Sequence, residues 1–323
     1  MKFKNVLDSL PPPEFLNIPY AGLSISDTAV RVIQFSKNHH GLYLSKFAEK
    51  SLPSGLVTSG FINNVDELAN ILQTLKKDLK LHHVKVSLPE EKAYLFTTKI
   101  PKVSQREIRG AIEFKMEENV PVPANELVFD YAVPDPEAHP DHLNVVVSAM
   151  PISVVDTYVE TMNKAEISLL SLEIESQAVA RALLPSGDLS ACIIAHFGKD
   201  KVGLYAAYHR IVHFTSTISV SGVPAGDFSY VSSEIKKLQV YWQTLKENVG
   251  DPNKKINKII ICGDGLTPDM ESNLGIKSKI PASLGNVWIN AFDINKNVPE
   301  ISHADSLKYA PAVGLALPSE ILL

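Results

Sequence analysis

The sequence predicts an α/β protein with two similar lobes around a cleft and a small α+β insertion. An internal repeat is the main support: the order strand, tight turn, strand, turn, strand, helix, strand occurs once from Gly22 and again from Ala191. A block of different pattern, residues 90–165, interrupts the repeat. The length of 323 residues is also sufficient for two lobes.

The first copy begins with three strands and continues with a helix. GLSIS, AVRVIQF and LYLSKFAEKSLP are the predicted strands, and SKNHHG is the turn between the last two. NNVDELANILQTLKKDLK has apolar residues at helical spacing, and Asn64 with Glu67 forms a pattern like a capping box. HVKVSLP then alternates between apolar and polar residues, which predicts a further strand.

The interrupting block is predicted as strand, helix, strand, strand, helix. AYLFTTKIP, ELVFDYAVP and LNVVVSAMP are its strands, and ISVVDTYVETMNKAE is its second helix. The first helix is SQREIRGAIEFKMEENVP, with Ser104 as N-cap and Glu107 at the capping-box position. This stretch therefore predicts a small α+β subdomain.

The second copy begins with ACIIAHFG, KVGLYAAY and RIVHFTSTISVSG, with a short turn at His209 and Arg210. A helix that ends at Gly250 is predicted for VSSEIKKLQVYWQTLKENVG. A buried strand is predicted for INKIIICGDG, and a short helix that returns to the first lobe is predicted for YAPAVGLAL. The predicted domains are an arm (1–20), the first lobe (21–89), the insertion (90–165), a connecting helix (166–190) and the second lobe (191–323).

Composition narrows the class of protein. A net charge of −5 argues against nucleic-acid binding, which usually requires a basic surplus. Cys192 and Cys262 lie in apolar runs, which predicts buried thiols and a reducing, cytoplasmic environment. No apolar run is long enough to cross a bilayer, so we expect any membrane association to go through a partner. The side chains of two adjacent histidines seldom bind the same metal ion, so we predict that the histidine pairs of this sequence do not form a metal site.

Several segments, in order, resemble the PilM family of type IV pilus assembly proteins, which is related to FtsA. The most specific segment is AIEFKMEENVPVPANELVFDY, residues 111–131. It is similar to a family pattern in which a helix that ends in an acid is followed by Ile/Val-Pro-x-Pro, then by a second acid, and then by Asp-Tyr. EIESQAVARAL is similar to the connecting helix, EIKKLQVYW to the helix over the adenine, and GNVWINAFD with YAPAVGLAL to the family's ending. The resemblance covers about residues 20–318 and implies the actin-like fold, a duplicated ribonuclease-H-like α/β fold.

Both phosphate loops depart from the family pattern. The first family loop is Gly-Ile-Asp-Ile-Gly-Thr/Ser, whereas this chain has Ser24 at the acid and Ser26 at the glycine. The second is similar to Asp-x-Gly, but His196 replaces its acid. Mg²⁺ strongly favours carboxylate ligands, and no other acid is an obvious candidate to activate water. The sequence therefore favours a pseudo-ATPase over an enzyme, with weak or absent ATP hydrolysis.

Nucleotide binding without hydrolysis remains an alternative. ATP is then the candidate cofactor, and Mg²⁺ is expected only when it is bound together with ATP. The loop CGDG keeps its glycines, and several side chains retain hydrogen-bonding groups, although Glu234 and Lys237 are equally explained as a surface pair on a helix. The candidate nucleotide-binding residues are Ser24, Ser26, Asp27, Thr28, Gly198, Lys199, Gly222, Glu234, Lys237, Gly263, Asp264 and Gly265.

The resemblance also implies a partner. PilM proteins bind the short cytoplasmic N-terminal peptide of PilN, a single-span membrane protein, in a groove between the first lobe and the insertion. That peptide carries a basic end, so the acidic Glu113, Glu117 and Glu118 are candidate peptide-binding residues, although a solvent-facing helix stripe explains them equally. The implied role is a scaffold at the inner face of the cytoplasmic membrane, held there by PilN and other pilus proteins. Oligomerisation stays open.

Other interpretations of the same fold remain. An active ATPase or a sugar-kinase-like phosphotransferase needs a metal-holding acid in the cleft. A membrane-tethered polymer similar to FtsA would be expected to end in a basic amphipathic helix, whereas this sequence ends in GLALPSEILL. The actin-like part of a type II secretion assembly protein also loses its nucleotide loops, but it normally continues into a membrane span.

Overall fold

Two sheets with related strand orders form the centres of the two lobes in the computed structural model. The structure describes residues 18–318, apart from 40, 135, 137–138, 224–225, 246–247, 268 and 295–296, so the predicted arm lies outside it up to residue 17. The first lobe begins with β1 (Ala21–Ile25), β2 (Ala29–Asn38), β3 (Gly41–Ser51), the hairpin β4 (Val57–Thr58) and β5 (Phe61–Ile62), α1 (Val65–Leu79) and β6 (His83–Leu88).

The insertion has its own sheet and its own core. It contains β7 (Tyr94–Pro101), α2 (Gln105–Asn119), β8 (Leu127–Ala132) and β9 (His142–Pro151), with the strand order β7-β9-β8. Ser104 and Glu107 form the predicted capping box at the start of α2. The apolar stripe of α2 packs on one face of this sheet, with Ile112 and Met116 against Val145 and Val147.

The segment after the insertion corrects two sequence-based predictions. The helix α3 (Ile152–Lys164), predicted within the insertion, instead packs Val154, Tyr158 and Met162 into the core of the first lobe. Part of the predicted connecting helix is a strand, β10 (Ser168–Ile174), which pairs in parallel with β6. A bulge between Leu169 and Ser171 breaks the two-residue alternation that marks a strand, which explains why the pattern was missed.

The second lobe repeats the arrangement of the first. After α4 (Glu175–Leu183) come β11 (Cys192–Phe197), β12 (Lys201–Tyr208), β13 (Ile211–Ser219), α5 (Ser229–Thr244), β14 (Ile259–Gly263), α6 (Met270–Ser278), β15 (Ala282–Leu284), α7 (His303–Ser306) and α8 (Ala310–Ala316). The sheet orders are β10-β6-β1-β2-β3 and β13-β12-β11-β14-β15, so β1 corresponds to β11 and β6 to β14. This correspondence confirms the repeat.

Smaller differences concern element ends. The helix α5 ends at Thr244 rather than near Gly250, because Leu245 has an extended backbone. The strand β2 continues to Asn38, into the segment predicted as a turn, because Ser36, Lys37 and Asn38 pair with β3. The elements α6 and β15 were not predicted, since their segments are short and weakly patterned.

The two lobes are joined by the crossing of α4 and α8 and by a shared apolar core. At the crossing, a Cβ added to Gly314 would lie 1.8 Å from the carbonyl oxygen of Ala178, so only glycine permits this approach. The shared core contains Phe35 of the first lobe with Ile194 and Trp288 of the second. The lobes are therefore tightly packed at this junction, from which Pro311 of α8 also lines the cleft.

Candidate functional site

The first turns of the two lobes face each other across the cleft, as the repeat predicts. Ser24 and His196, which replace the two acids, both line this cleft. The Ser26 hydroxyl accepts from the amide of Ala29 at 3.1 Å and donates to its carbonyl oxygen at 3.0 Å, so the side chain closes the turn. Thr28 lies in the same turn, 3.4 Å from that hydroxyl.

Asp27 faces the chain's own backbone as well as the cleft. Its carboxylate accepts the amides of Ser59 and Gly60 at 3.0 and 3.1 Å, between the strands of the β4–β5 hairpin. Its second oxygen lies 3.5 Å from the Lys201 ammonium. Two backbone donors and one cation therefore already occupy the carboxylate nearest the first turn.

Besides the contact of Asp27 with Lys201, two closer ion pairs cross the cleft between the lobes. Arg31 on β2 contacts Asp264, after β14, at 2.6 Å, and Lys201 on β12 contacts Glu91, after β6. Arg31 also pairs with Glu49 at 2.9 Å. The cavity left between these groups is about 40 Å³, whereas pockets for small organic ligands are typically ~300 Å³ or more. The cleft is filled by its own side chains.

Glu175 and His196 are two buried side chains of the cleft with strongly shifted pKa values. Burial, reinforced by Glu91, raises the pKa of Glu175 to about 8, and burial, with Arg31 and Lys201, lowers the pKa of His196 to about 3. The two side chains lie 3.9 Å apart, and His196 Nδ1 is 3.3 Å from the Tyr205 hydroxyl. At neutral pH both side chains are uncharged, so neither of them supplies the anionic oxygen that Mg²⁺ prefers.

The shifted pKa of Glu175 predicts a pH-dependent stability. Between its ordinary value of 4.5 and about 8, the unfolded chain loses a proton that the folded protein keeps, so stability falls as pH rises through this window. Glu175→Gln removes the ionisation, so we expect the variant to gain roughly 1–2 kcal/mol over the wild type between pH 5 and 8. Urea unfolding at both pH values measures this difference. An equal difference at the two pH values would contradict the assignment.

A second cavity, of about 490 Å³, lies in the second lobe beside the cleft. Four candidate nucleotide residues line it: Gly198, Lys199, Asp264 and Gly265. Apolar side chains, including Phe228, form much of the remaining wall.

Gly263 packs below this cavity, where its backbone passes close to β11. A Cβ there would lie 2.0 Å from the carbonyl oxygen of Phe197, and its φ is 112°. Gly222, Glu234 and Lys237 do not line either cavity. Glu234 instead accepts from Lys237 at 3.0 Å and from Ser216 at 3.2 Å, which is the surface-pair arrangement.

The sequence-based analysis missed four charged residues of the cleft. Glu91 and Glu175 are acids close to the phosphate turns, whereas the sequence offered no obvious acid there. Arg31 carried an available signal, a lone charge inside the apolar strand AVRVIQF. Glu91 and Lys201 carried none, because their pairing joins residues 110 positions apart.

A groove of about 770 Å³ lies between the insertion and the first lobe. One wall is formed by β8 and β9, and the opposite wall by β10 and α4. The third wall is formed by residues 187–189, which lie between α4 and β11, and by residues 209–211 of the second lobe. The strands β8 and β10 are edge strands of their sheets. The groove therefore has strand edges along its two long walls.

The charges of the groove are unequally partnered. Glu173 and Arg181 form an ion pair at one wall, and Arg181 also donates to the carbonyl oxygen of Gly314 at 3.1 Å. Asp188 pairs with Lys258 at 2.7 Å. Asp130 on β8 is exposed and has no cation partner among the described residues. It is the acid most available to a basic ligand.

The three predicted peptide-binding acids lie elsewhere. Glu113, Glu117 and Glu118 are exposed on α2, and Glu118 pairs with Lys115 at 2.8 Å. The helix α2 covers the sheet face that carries Val145 and Val147, whereas the groove is lined by the alternate residues Val146, Ser148 and Met150. The acids are thus separated from the groove by the sheet itself, which corrects their proposed place in it.

The described residues contain neither a candidate membrane span nor a candidate metal cluster. None of their helices has the length and apolar character needed to cross a membrane. The same residues contain no group of three or more histidine, cysteine, aspartate or glutamate side chains suited to hold a metal ion.

Comparisons with known proteins agree with this geometry. The family model "Type IV pilus assembly protein PilM" matches residues 22–202. A chain of the PilM–PilN type IV pilus biogenesis complex is similar in structure at 17% identity, with a TM-score of 0.77, over 93% of this chain and 98% of that one. A search of curated proteins found no significant match.

Two further solved structures are more distant. The ethanolamine utilization protein EutJ from Carboxydothermus hydrogenoformans has 13% identity and a TM-score of 0.49, over 95% of this chain and 90% of that one. MreB 5 of Spiroplasma citri bound to AMPPNP has 11% identity and a TM-score of 0.49, over 94% and 95%. With an actin-like fold and a family match over more than half of its length, the chain belongs to the PilM family of type IV pilus assembly proteins.

Proposed function

We propose that this protein acts in type IV pilus assembly by holding the cytoplasmic N-terminal peptide of a PilN-like membrane protein. The observation that carries the proposal is the groove between the edge strands β8 and β10. The most family-specific segment, residues 111–131, supplies β8 and with it Asp130 and Tyr131, which line the groove. The similar PilM–PilN complex supports the choice of partner.

The groove suits an extended peptide. An edge strand offers unpaired backbone groups, so a peptide gains main-chain hydrogen bonds while alternate side chains enter pockets. Val128 and Leu172, on opposite walls, provide apolar contacts. Asp130 provides an acid for the basic end of the peptide. A disordered peptide loses conformational entropy on binding, which these contacts must offset.

Charge reversal at Asp130 tests this orientation. Against a labelled synthetic peptide with the cytoplasmic N-terminal sequence of the PilN-like protein from the same cell, we expect Asp130→Lys to weaken binding roughly tenfold, since it places like charges together. Fluorescence anisotropy gives the Kd. The matched control Glu117→Lys makes the same charge change on the other side of the insertion and should bind as the wild type does. Equal loss in both variants would mean that net charge alone governs binding.

In the same proposal the interlobe cleft is a pseudo-ATPase site that has lost its chemistry. Ser24 and His196 replace acids, Glu175 is held neutral, and the basic groups Arg31 and Lys201 are already paired with carboxylates. A triphosphate would have to displace both ion pairs before Arg31 or Lys201 could contact its phosphates. The cleft then serves to join the lobes.

Calorimetric titration with ATP and Mg²⁺ tests the cleft. We expect no binding in the micromolar range, because the cations that would meet the phosphates are engaged and the cavity is small. The double variant Ser24→Asp, His196→Asp restores both acids. Its titration shows whether the two replacements are the reason that the wild type does not bind ATP. Micromolar binding by the wild type would favour the alternative, an active ATP-binding member of the family.

This function places the protein at the inner face of the cytoplasmic membrane, held by its partner and in contact with other pilus assembly proteins. A type II secretion assembly protein of the same fold is the remaining alternative. Co-purification separates the two, because a pilus assembly protein should retain the PilN-like protein and not a secretion component.

A further inference from the structure

The ion pairs Arg31–Asp264 and Lys201–Glu91 cross the cleft from lobe to lobe, and Asp27 adds a longer contact of 3.5 Å to Lys201. We propose that these two pairs form a latch that keeps the lobes closed and so fixes the third wall of the groove. The use of this wall by a peptide rests on the proposed function. The latch itself does not.

The latch is built from partly buried charges. The side chain of Arg31 is only 7% exposed, and those of Asp264 and Lys201 are 26% and 30% exposed. Ion pairs shielded from water are screened less by salt than surface pairs. Replacing one partner by mutation leaves the other charge buried and unpaired in the closed form, which favours opening of the cleft. Substitution at these pairs is therefore expected to have a larger effect than substitution at exposed ones.

Further charged groups hold each pair in position. Glu49 on β3 contacts Arg31 at 2.9 Å and Lys308 at 2.6 Å, which fixes the guanidinium of Arg31 toward the cleft. Asp27 lies 3.5 Å from Lys201 and is itself bound to two backbone amides. Both cations of the latch, Arg31 and Lys201, are thus oriented by a second carboxylate.

The α4–α8 crossing and the shared core act as the hinge. The crossing brings Gly314 against Ala178, and the apolar core that contains Phe35 and Trp288 is shared by both lobes. Separation of the lobes at this junction would expose that core to water. Opening is therefore expected at the cleft, by rotation about α4 and α8, and the latch lies across that opening.

The same rotation changes the groove. Two of its walls belong to the first lobe and the insertion, but residues 209–211 belong to the turn between β12 and β13 in the second lobe. Gln177 of α4 makes two hydrogen bonds, of 3.0 and 3.2 Å, with the backbone of Val212 beside this turn. Rotation of the second lobe about α4 would therefore move the third wall relative to β8.

Hydrogen exchange followed by mass spectrometry on the whole chain without peptide tests the latch. We expect Lys201→Gln to raise exchange about tenfold at residues 26–28 and 196–198 in the cleft and at residues 209–211 in the groove. Lys164→Gln is the matched control, because Lys164 also meets two carboxylates, Asp66 and Glu160, within the first lobe alone. It should leave all three segments unchanged.

Several outcomes would overturn the proposal. Unchanged exchange in Lys201→Gln would mean that the pairs do not hold the lobes, and a change in the cleft without one at residues 209–211 would separate the groove from the latch. If Lys201→Gln does not fold, Glu91→Gln, which removes the other partner of the same pair, gives the same comparison. Peptide binding by the wild type tests the proposed function separately.

Discussion

Gly314→Ala is expected to lower the free energy of unfolding by about 3 kcal/mol. The added Cβ would lie 1.8 Å from the carbonyl oxygen of Ala178, far inside van der Waals contact, so α8 must move away from α4. Both helices are buried at this crossing, and their displacement would loosen the core that joins the lobes. Urea unfolding monitored by circular dichroism measures the loss.

Gly110→Ala is the matched control, because it makes the same change in the helix α2. A Cβ at Gly110 meets nothing within 4 Å, so the substitution should stabilise the protein by about 0.5–1 kcal/mol through helix propensity. The two variants are thus expected to shift stability in opposite directions. A similar small gain in both would show that the α4–α8 crossing adapts easily and would weaken its role as a hinge.

Local features of the fold were predictable from sequence because their causes are local. The N-cap Asn64 and the capping box of Ser104 and Glu107 depend on residues three positions apart. The tight turn at His209 and Arg210 was recognised between two strongly patterned strands, and both residues have positive φ. The repeat followed from the order of such elements.

The cleft and the groove depend on contacts that no local pattern encodes. Arg31 meets Asp264 across 233 positions, and the pairing decides whether the cleft receives a ligand or is closed by the protein itself. The groove depends on β10, which the sequence-based analysis assigned to a helix, and on which face of the insertion α2 covers. Placing Glu113 and its neighbours in the groove failed for that second reason, since charge pattern alone does not say which sheet face a helix occupies.

Val128→Asp is expected to have the largest effect on peptide binding, a loss of about 100-fold in affinity, or roughly 3 kcal/mol. Val128 lies on the edge strand β8 and lines the groove, and 42% of the residue surface is exposed. A carboxylate there would lose its hydration when a peptide covers it. Because the residue is partly exposed in the free protein, the fold should tolerate the change, which thermal unfolding can verify.

Phe114→Asp provides the comparison that makes this result specific. Phe114 is also an apolar residue of the insertion and is 73% exposed, but it lies on α2, which covers the other face of the sheet. The same introduction of a carboxylate should leave the Kd of the peptide unchanged. Equal affinity in Val128→Asp and the wild type would place the peptide elsewhere, and loss in Phe114→Asp alone would move the binding surface to α2. Because both residues belong to one small subdomain, the pair of variants identifies the face that binds and not merely the subdomain.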